Sequence, residues 1–122
     1  MLDANDKYAW QGRVVQMFKD SGYKGIIKGV PSAGKTKAAI LIIKSLPNCK
    51  VDIITPTLDL KLQWESVIYQ EDVTASVWTI QTAVKKLHYT DLLIVDEVHN
   101  STTPVYGRLY ANIKYKYVLG LT

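Results

Sequence analysis

At 122 residues the chain is long enough for one domain with its own core, and a 48% hydrophobic, 21% charged composition is that of a folded protein rather than a disordered tail. One cysteine, Cys49, excludes an internal disulfide; no apolar run approaches the roughly 20 residues of a membrane span, and the start Met1–Asp6 lacks a basic-then-apolar leader, so an intracellular protein is expected. Fifteen Lys/Arg against eleven Asp/Glu give a net charge of +4, a mild excess that suits phosphate-rich partners without demanding them.

Short apolar runs alternate with helical patterns along the chain. Residues 1–7 read as a short lead-in. Residues 25–30 (GIIKGV) are a β-branched run ending in a turn, and residues 35–46 (KTKAAILIIKSL) have a helical pattern closed by Pro47 and Asn48. Residues 51–55 (VDIIT) read as the next strand, broken by Pro56, and 58–69 as a helix with an irregular apolar stripe. Residues 73–80 then read as strand, 81–87 as a short helix and 92–95 (LLIV) as a buried strand. A helix over 104–113 leads into a last strand over 117–121. Such alternation predicts βαβ units and a parallel sheet, and strands this continuously apolar predict cover on both faces. No repeat, linker or low-complexity tract interrupts residues 1–122, so one α/β domain is expected.

The segment Gly29, Val30, Pro31, Ser32, Ala33, Gly34, Lys35, Thr36 fits the phosphate-loop pattern G-x-x-x-x-G-K-[ST] in full, with a strand before it and a helix after. The glycines let the backbone curl so that successive N–H groups point at phosphate oxygens, and the helix adds its positive dipole end. Lys35 is expected to reach the β- and γ-phosphates of ATP, and Thr36 to bind Mg²⁺ through its hydroxyl.

A second acidic segment, Asp96-Glu97-Val98-His99, follows the strand over 92–95, where open parallel sheets place their chemistry. Asp96 is expected to hold Mg²⁺ through water, Glu97 to orient and deprotonate the attacking water, and His99 to link the γ-phosphate state to a partner surface. Because Thr36 and Asp96 would share one metal, the two segments are expected at the carboxyl ends of adjacent central strands.

Taken together, the phosphate loop and the DEVH tetrapeptide resemble the first motor domain of superfamily 2 helicases and translocases, nearest in look to the type III restriction and XPB-like group. Further segments follow in that family's order. Gln11, 18 residues before Gly29, resembles the family's adenine-reading glutamine. The run from Thr55 and Pro56 to Gln63 and Trp64 is similar to motif Ia, Thr79-Ile80-Gln81-Thr82-Ala83 to a strand-end Thr-x-Gln-[ST]-Ala segment, and Leu119-Gly120-Leu121-Thr122 to the start of motif III. The resemblance implies a three-layer, RecA-like P-loop domain over 1–122 that binds ATP and Mg²⁺. It implies a nucleic-acid partner, DNA with RNA as the alternative, contacted by Thr57, Lys61 and Thr79. Two departures stand out. The usual Ib segment is shortened or absent between Trp64 and Val73, and motifs IV to VI, with the arginine finger of a second RecA-like domain, do not occur in these residues, so that domain is expected in cis or in trans.

Bland readings compete at several positions. Trp64, beside Leu60 and Leu62 at helical spacing, reads as core before it reads as a base-stacking platform, and Lys61 fits a solvated helix face equally well. Two other functions remain open: a small P-loop kinase or switch, against which stand the lack of an Asn-Lys-x-Asp guanine reader and the paired Asp96-Glu97, and a non-catalytic module that binds ATP or nucleic acid.

Overall fold

The computed structural model describes residues 4–28 and 32–122, with the side chains of residues 12–28, 34–99 and 102–122. Helices and strands alternate as α1 (Ala4–Asp20), β1 (Lys24–Ile27), α2 (Ser32–Lys44), β2 (Val51–Thr55), α3 (Leu58–Glu71), β3 (Ser76–Thr79), α4 (Ile80–Lys86), β4 (Tyr89–Val95), α5 (Pro104–Asn112) and β5 (Lys114–Leu121). A 3₁₀ turn, Val98–Thr102, separates β4 from α5. All strand pairs are parallel, in the order β1-β5-β4-β2-β3.

Side-chain alternation along the central strands generates three layers. Leu92 and Ile94 of β4, with Ile53 of β2 and Leu119 and Leu121 of β5, pack against Phe18 of α1, Ala39, Ile42 and Ile43 of α2 and Trp64 of α3. Leu93 and Val95 point the other way, with Ile54, onto Ile80 and Ala83 of α4 and Tyr106 and Leu109 of α5. The sheet is thus sandwiched between α1, α2 and α3 on one face and α4 and α5 on the other, a three-layer α/β fold of the RecA-like kind.

Strand order and helix placement have one cause. From β1 to β2 to β3 the chain steps one way across the sheet, and from β3 to β4 to β5 it steps back. Right-handed crossovers require the helices to change face when the direction reverses. That change falls between α3 and α4. No described helix is long and apolar enough to cross a membrane.

Local chemistry fixes the helix ends. Thr57 caps α3, its hydroxyl accepting from the Leu60 N–H at 3.2 Å, and Asp72 closes the helix in the left-handed region at φ 54°. Pro104 opens α5, where a missing N–H costs nothing.

Five boundaries correct the sequence reading. Instead of a lead-in, helix α1 begins at Ala4, because Val14, Val15 and Phe18 give it an apolar side to dock on the first cluster. Helix α2 begins at Ser32 rather than 35, which puts Gly34 inside its first turn. Strand β3 begins at Ser76 rather than 73, after the α3 C-cap. Strands β4 and β5 begin earlier than their apolar runs, at Tyr89 and Lys114, since backbone pairing (Tyr89 opposite Lys114, Thr90 opposite Tyr115) does not need apolar side chains.

Tyr106 carries a cost within this fold. It is 2% exposed, its hydroxyl has no hydrogen-bond partner among the described residues, and burial pushes its phenol up to about 12. The raised value means the folded state keeps its proton longer than the unfolded chain, whose tyrosines titrate near 10, so stability falls as pH rises from about 10 through 12. Tyr106→Phe removes an unpaired polar atom without a cavity and is expected to be neutral or to stabilise by up to about 1 kcal/mol. The alkaline loss of stability should shrink with it. Urea denaturation at neutral pH and near pH 11 checks both; destabilisation beyond about 1 kcal/mol would reveal a hydroxyl partner.

Candidate phosphate and metal site

The carboxyl edge of the sheet gathers the two segments singled out in the sequence. A cleft of about 130 Å³ is lined by Lys35 and Thr36 from the start of α2, by Leu60, Gln63, Trp64 and Val67 from α3, by Asp96 and Glu97 after β4, and by Leu121 at the end of β5. Gly29 and Pro31 lie outside the described residues, as do the side chains of Gln11, Ser32 and Ala33. Gly34 stands in the first turn of α2, whose N–H groups belong to the set left without intrahelical acceptors, the arrangement that favours an anion.

The strands behind the cleft are not adjacent, contrary to expectation. β5 lies between β1, an edge strand, and β4. Neighbouring strands are about 4.8 Å apart. One intervening strand doubles the spacing, and Leu121 at its end lines the gap.

Asp96 is the most constrained group of the site. It is 7% exposed, and its own N–H still pairs with the Ile54 carbonyl at 2.9 Å, continuing the sheet by one residue. Position 96 shares the face of Leu92 and Ile94, which directs its side chain toward α2 and α3. There the Trp64 indole N–H donates to Oδ2 at 2.9 Å, and the Glu97 backbone N–H donates to Oδ1 at 2.9 Å. Trp64 is core, as expected at 4% exposure, but it is also a donor to the site. The sequence carries a signal for this: a buried indole N–H must find a partner.

Glu97 leaves the strand in the left-handed region, at φ 55°. A side-chain-bearing residue held there stores on the order of 1 kcal/mol, and such strain gathers at functional sites. The turn places Glu97 Oε2 at 3.4 Å from His99 Nε2, while His99 Nδ1 lies 3.0 Å from Thr122 Oγ1. The DEVH segment and the end of β5 therefore meet through one imidazole. Gly120 makes room for that turn: a Cβ there would lie 3.0 Å from Val98 Cγ2 and 3.2 Å from Ile26 Cγ1.

The three expected nucleic-acid contacts have local work. Thr57 caps α3, Lys61 pairs with Glu65 at 3.1 Å one helical turn on, and the Thr79 hydroxyl lies 3.2 Å from Thr82 Oγ1. Thr57 and Thr79 nonetheless stand at neighbouring strand ends, since Thr55 and Thr79, the last residues of β2 and β3, are register partners. Lys61 also borders a larger open groove of about 980 Å³ between α3 and edge strand β3, which contains none of the phosphate-loop or DEVH residues. Size alone does not make it the site; the small cleft holds the convergent charges.

Among the described residues no group of three or more His, Cys, Asp or Glu could cage a metal. The side-chain oxygen donors lining the cleft, the Thr36 hydroxyl, the Gln63 amide oxygen and the Asp96 and Glu97 carboxylates, are hard ligands. That set fits Mg²⁺, which takes one or two protein oxygens and completes its shell with waters and phosphates. A scan against known protein families finds no match, and no curated protein matches the chain either.

Gly120→Ala is expected to destabilise by about 1–3 kcal/mol by overpacking Val98 and Ile26 beside the Glu97 turn. Thermal unfolding checks this; an unchanged midpoint would show that Val98 gives way freely.

Proposed function

We propose that this chain is the ATP-binding domain of a nucleic-acid helicase or translocase, hydrolysing ATP with Mg²⁺ when joined by a second RecA-like domain in cis or in trans. The observation that carries the reading is the convergence of Lys35, Thr36, Asp96 and Glu97, from two distant segments, on one cleft at the carboxyl edge of a parallel sheet. Lys35 is the charge for the terminal phosphates, and Thr36 and Asp96 are the oxygens that hold Mg²⁺. Bound Mg²⁺ supplies charge neutralisation at the phosphates; Glu97 orients the attacking water and takes its proton. His99 sits where it can pass the state of Glu97 to Thr122 and whatever lies against β5.

The remaining features support the motor more than a kinase or a passive binding module. Paired Asp96 and Glu97 suit attack by water rather than by an acceptor hydroxyl. Thr57, Lys61 and Thr79 lie on the strand-end side of β2, α3 and β3, where DNA or RNA phosphates would be followed. The missing part in this reading is an arginine for transition-state charge, which is worth roughly 10³–10⁵ in rate and which the second domain would bring.

Two variants separate ground-state binding from water activation. Lys35→Ala should weaken a fluorescent ATP analogue by about 10–100-fold, the worth of a hydrogen bond to a charged group. The wild-type chain alone is expected to hydrolyse ATP slowly in a single turnover, and Glu97→Gln should keep the analogue affinity and abolish that hydrolysis. Analogue titration and single-turnover assays check both. Lost binding in Glu97→Gln with an intact circular dichroism spectrum would reject the assigned roles, and so would full affinity in Lys35→Ala.

A further inference from the structure

We infer that Trp64 is a positioning residue for the metal-holding carboxylate of Asp96, an inference that rests on the ATP-driven reading above. A carboxylate oxygen has two lone-pair sites. Trp64 Nε1–H occupies one on Oδ2 and the Glu97 backbone N–H occupies one on Oδ1, both at 2.9 Å. With a donor on each oxygen the carboxylate plane cannot rotate, and the lone pair left on each oxygen is what Asp96 offers to the cleft it lines with Thr36. The two donors differ in kind. The Glu97 N–H is fixed by the backbone next door, whereas the indole arrives from α3, on a different crossover, and is held by its own burial in the first cluster.

The arrangement is that of a partner outside the metal's own ligands. A rigid donor orients the ligand oxygen before the cation arrives, so orientation is settled on folding. Asp96 is also nearly out of water, where a bond from a neutral donor to a charged acceptor counts for more than at the surface. A comparable pair exists at the opposite end of the sheet: Trp78 Nε1–H donates to Asp52 Oδ1 at 2.7 Å, but Lys50 neutralises that carboxylate at 2.7 Å. No Lys or Arg is ion-paired with Asp96 among the described residues, which leaves its charge for a cation.

The test uses the full chain in two arms. The first is the proton–nitrogen spectrum of the three indole groups, Trp10, Trp64 and Trp78. Asp96→Asn should move the Trp64 indole signal and leave that of Trp78 in place, and Asp52→Asn should do the reverse. The second arm is the Mg²⁺ dependence of binding of a fluorescent ADP analogue. Trp64→Phe keeps an aromatic ring and loses the N–H, so the Mg²⁺ needed for half-saturation should rise about 10-fold or more, the usual effect of losing such a partner, and by clearly more than any change in metal-free ADP affinity. A Trp64 signal indifferent to Asp96→Asn would overturn the inference without any need for a folded Trp64→Phe. So would a wild-type Mg²⁺ dependence in Trp64→Phe, or an equal loss of affinity with and without Mg²⁺, the mark of a merely structural role. A wild-type chain that binds no Mg²⁺–nucleotide overturns the ATP reading and this inference together; Mg²⁺-dependent wild-type binding with an unshifted variant overturns this inference alone.

Discussion

A carboxylate that is 7% exposed has to be compensated by something other than water, and the way Asp96 is compensated organises the carboxyl edge of this sheet. Its position is set by β4, whose alternation sends residue 96 to the face shared by α2 and α3. Its orientation is set by two N–H donors, one from its chain neighbour and one from Trp64. The first of these belongs to the peptide that joins Asp96 to Glu97; Glu97 then turns out of the strand at φ 55°, and Val98 after it packs over residue 120, where a Cβ would lie 3.0 Å from its Cγ2.

The sheet order serves the same site. Two crossovers in one direction and two back leave β5 between the strand before the phosphate loop and the strand before Asp96. The loops on either side of it depart to opposite faces, α2 to one and α5 to the other, which opens a crevice at the strand ends. A parallel sheet with helices on both faces thus supplies the framework, and the two segments stand at its carboxyl edge with β5 between their strands.

Much of this was legible in the residues. The order of strands and helices after residue 24 followed from short β-branched runs, Pro47, Pro56 and Pro104, because those signals are local. Residues 92–95 read as a buried strand because all four are apolar, and the acidic residues after them stood out against it. What the sequence did not reveal was non-local. Helix α1 has a polar composition and shows its purpose only when Phe18 meets α2 and the sheet. The insertion of β5 between β1 and β4 is a matter of pairing, which no single strand encodes. Trp64 looked like core and is core; its second role appears only when an aspartate 32 positions later is brought to 2.9 Å. Thr57 and Thr79 read as phosphate contacts because their motif context resembles one, yet each hydroxyl already has a local partner.

The central claim is that the α2 start and the DEVH segment share one metal-bound nucleotide. A crystal structure of the chain with Mg²⁺, ADP and beryllium fluoride tests it most directly. The account predicts one Mg²⁺ at about 2.1 Å from the Thr36 hydroxyl, with Asp96 bound to it directly or through a single water, and the fluoride group between Lys35 and Glu97. A nucleotide seated elsewhere, or a metal that ignores Asp96 while Trp64 still holds it, would contradict the account.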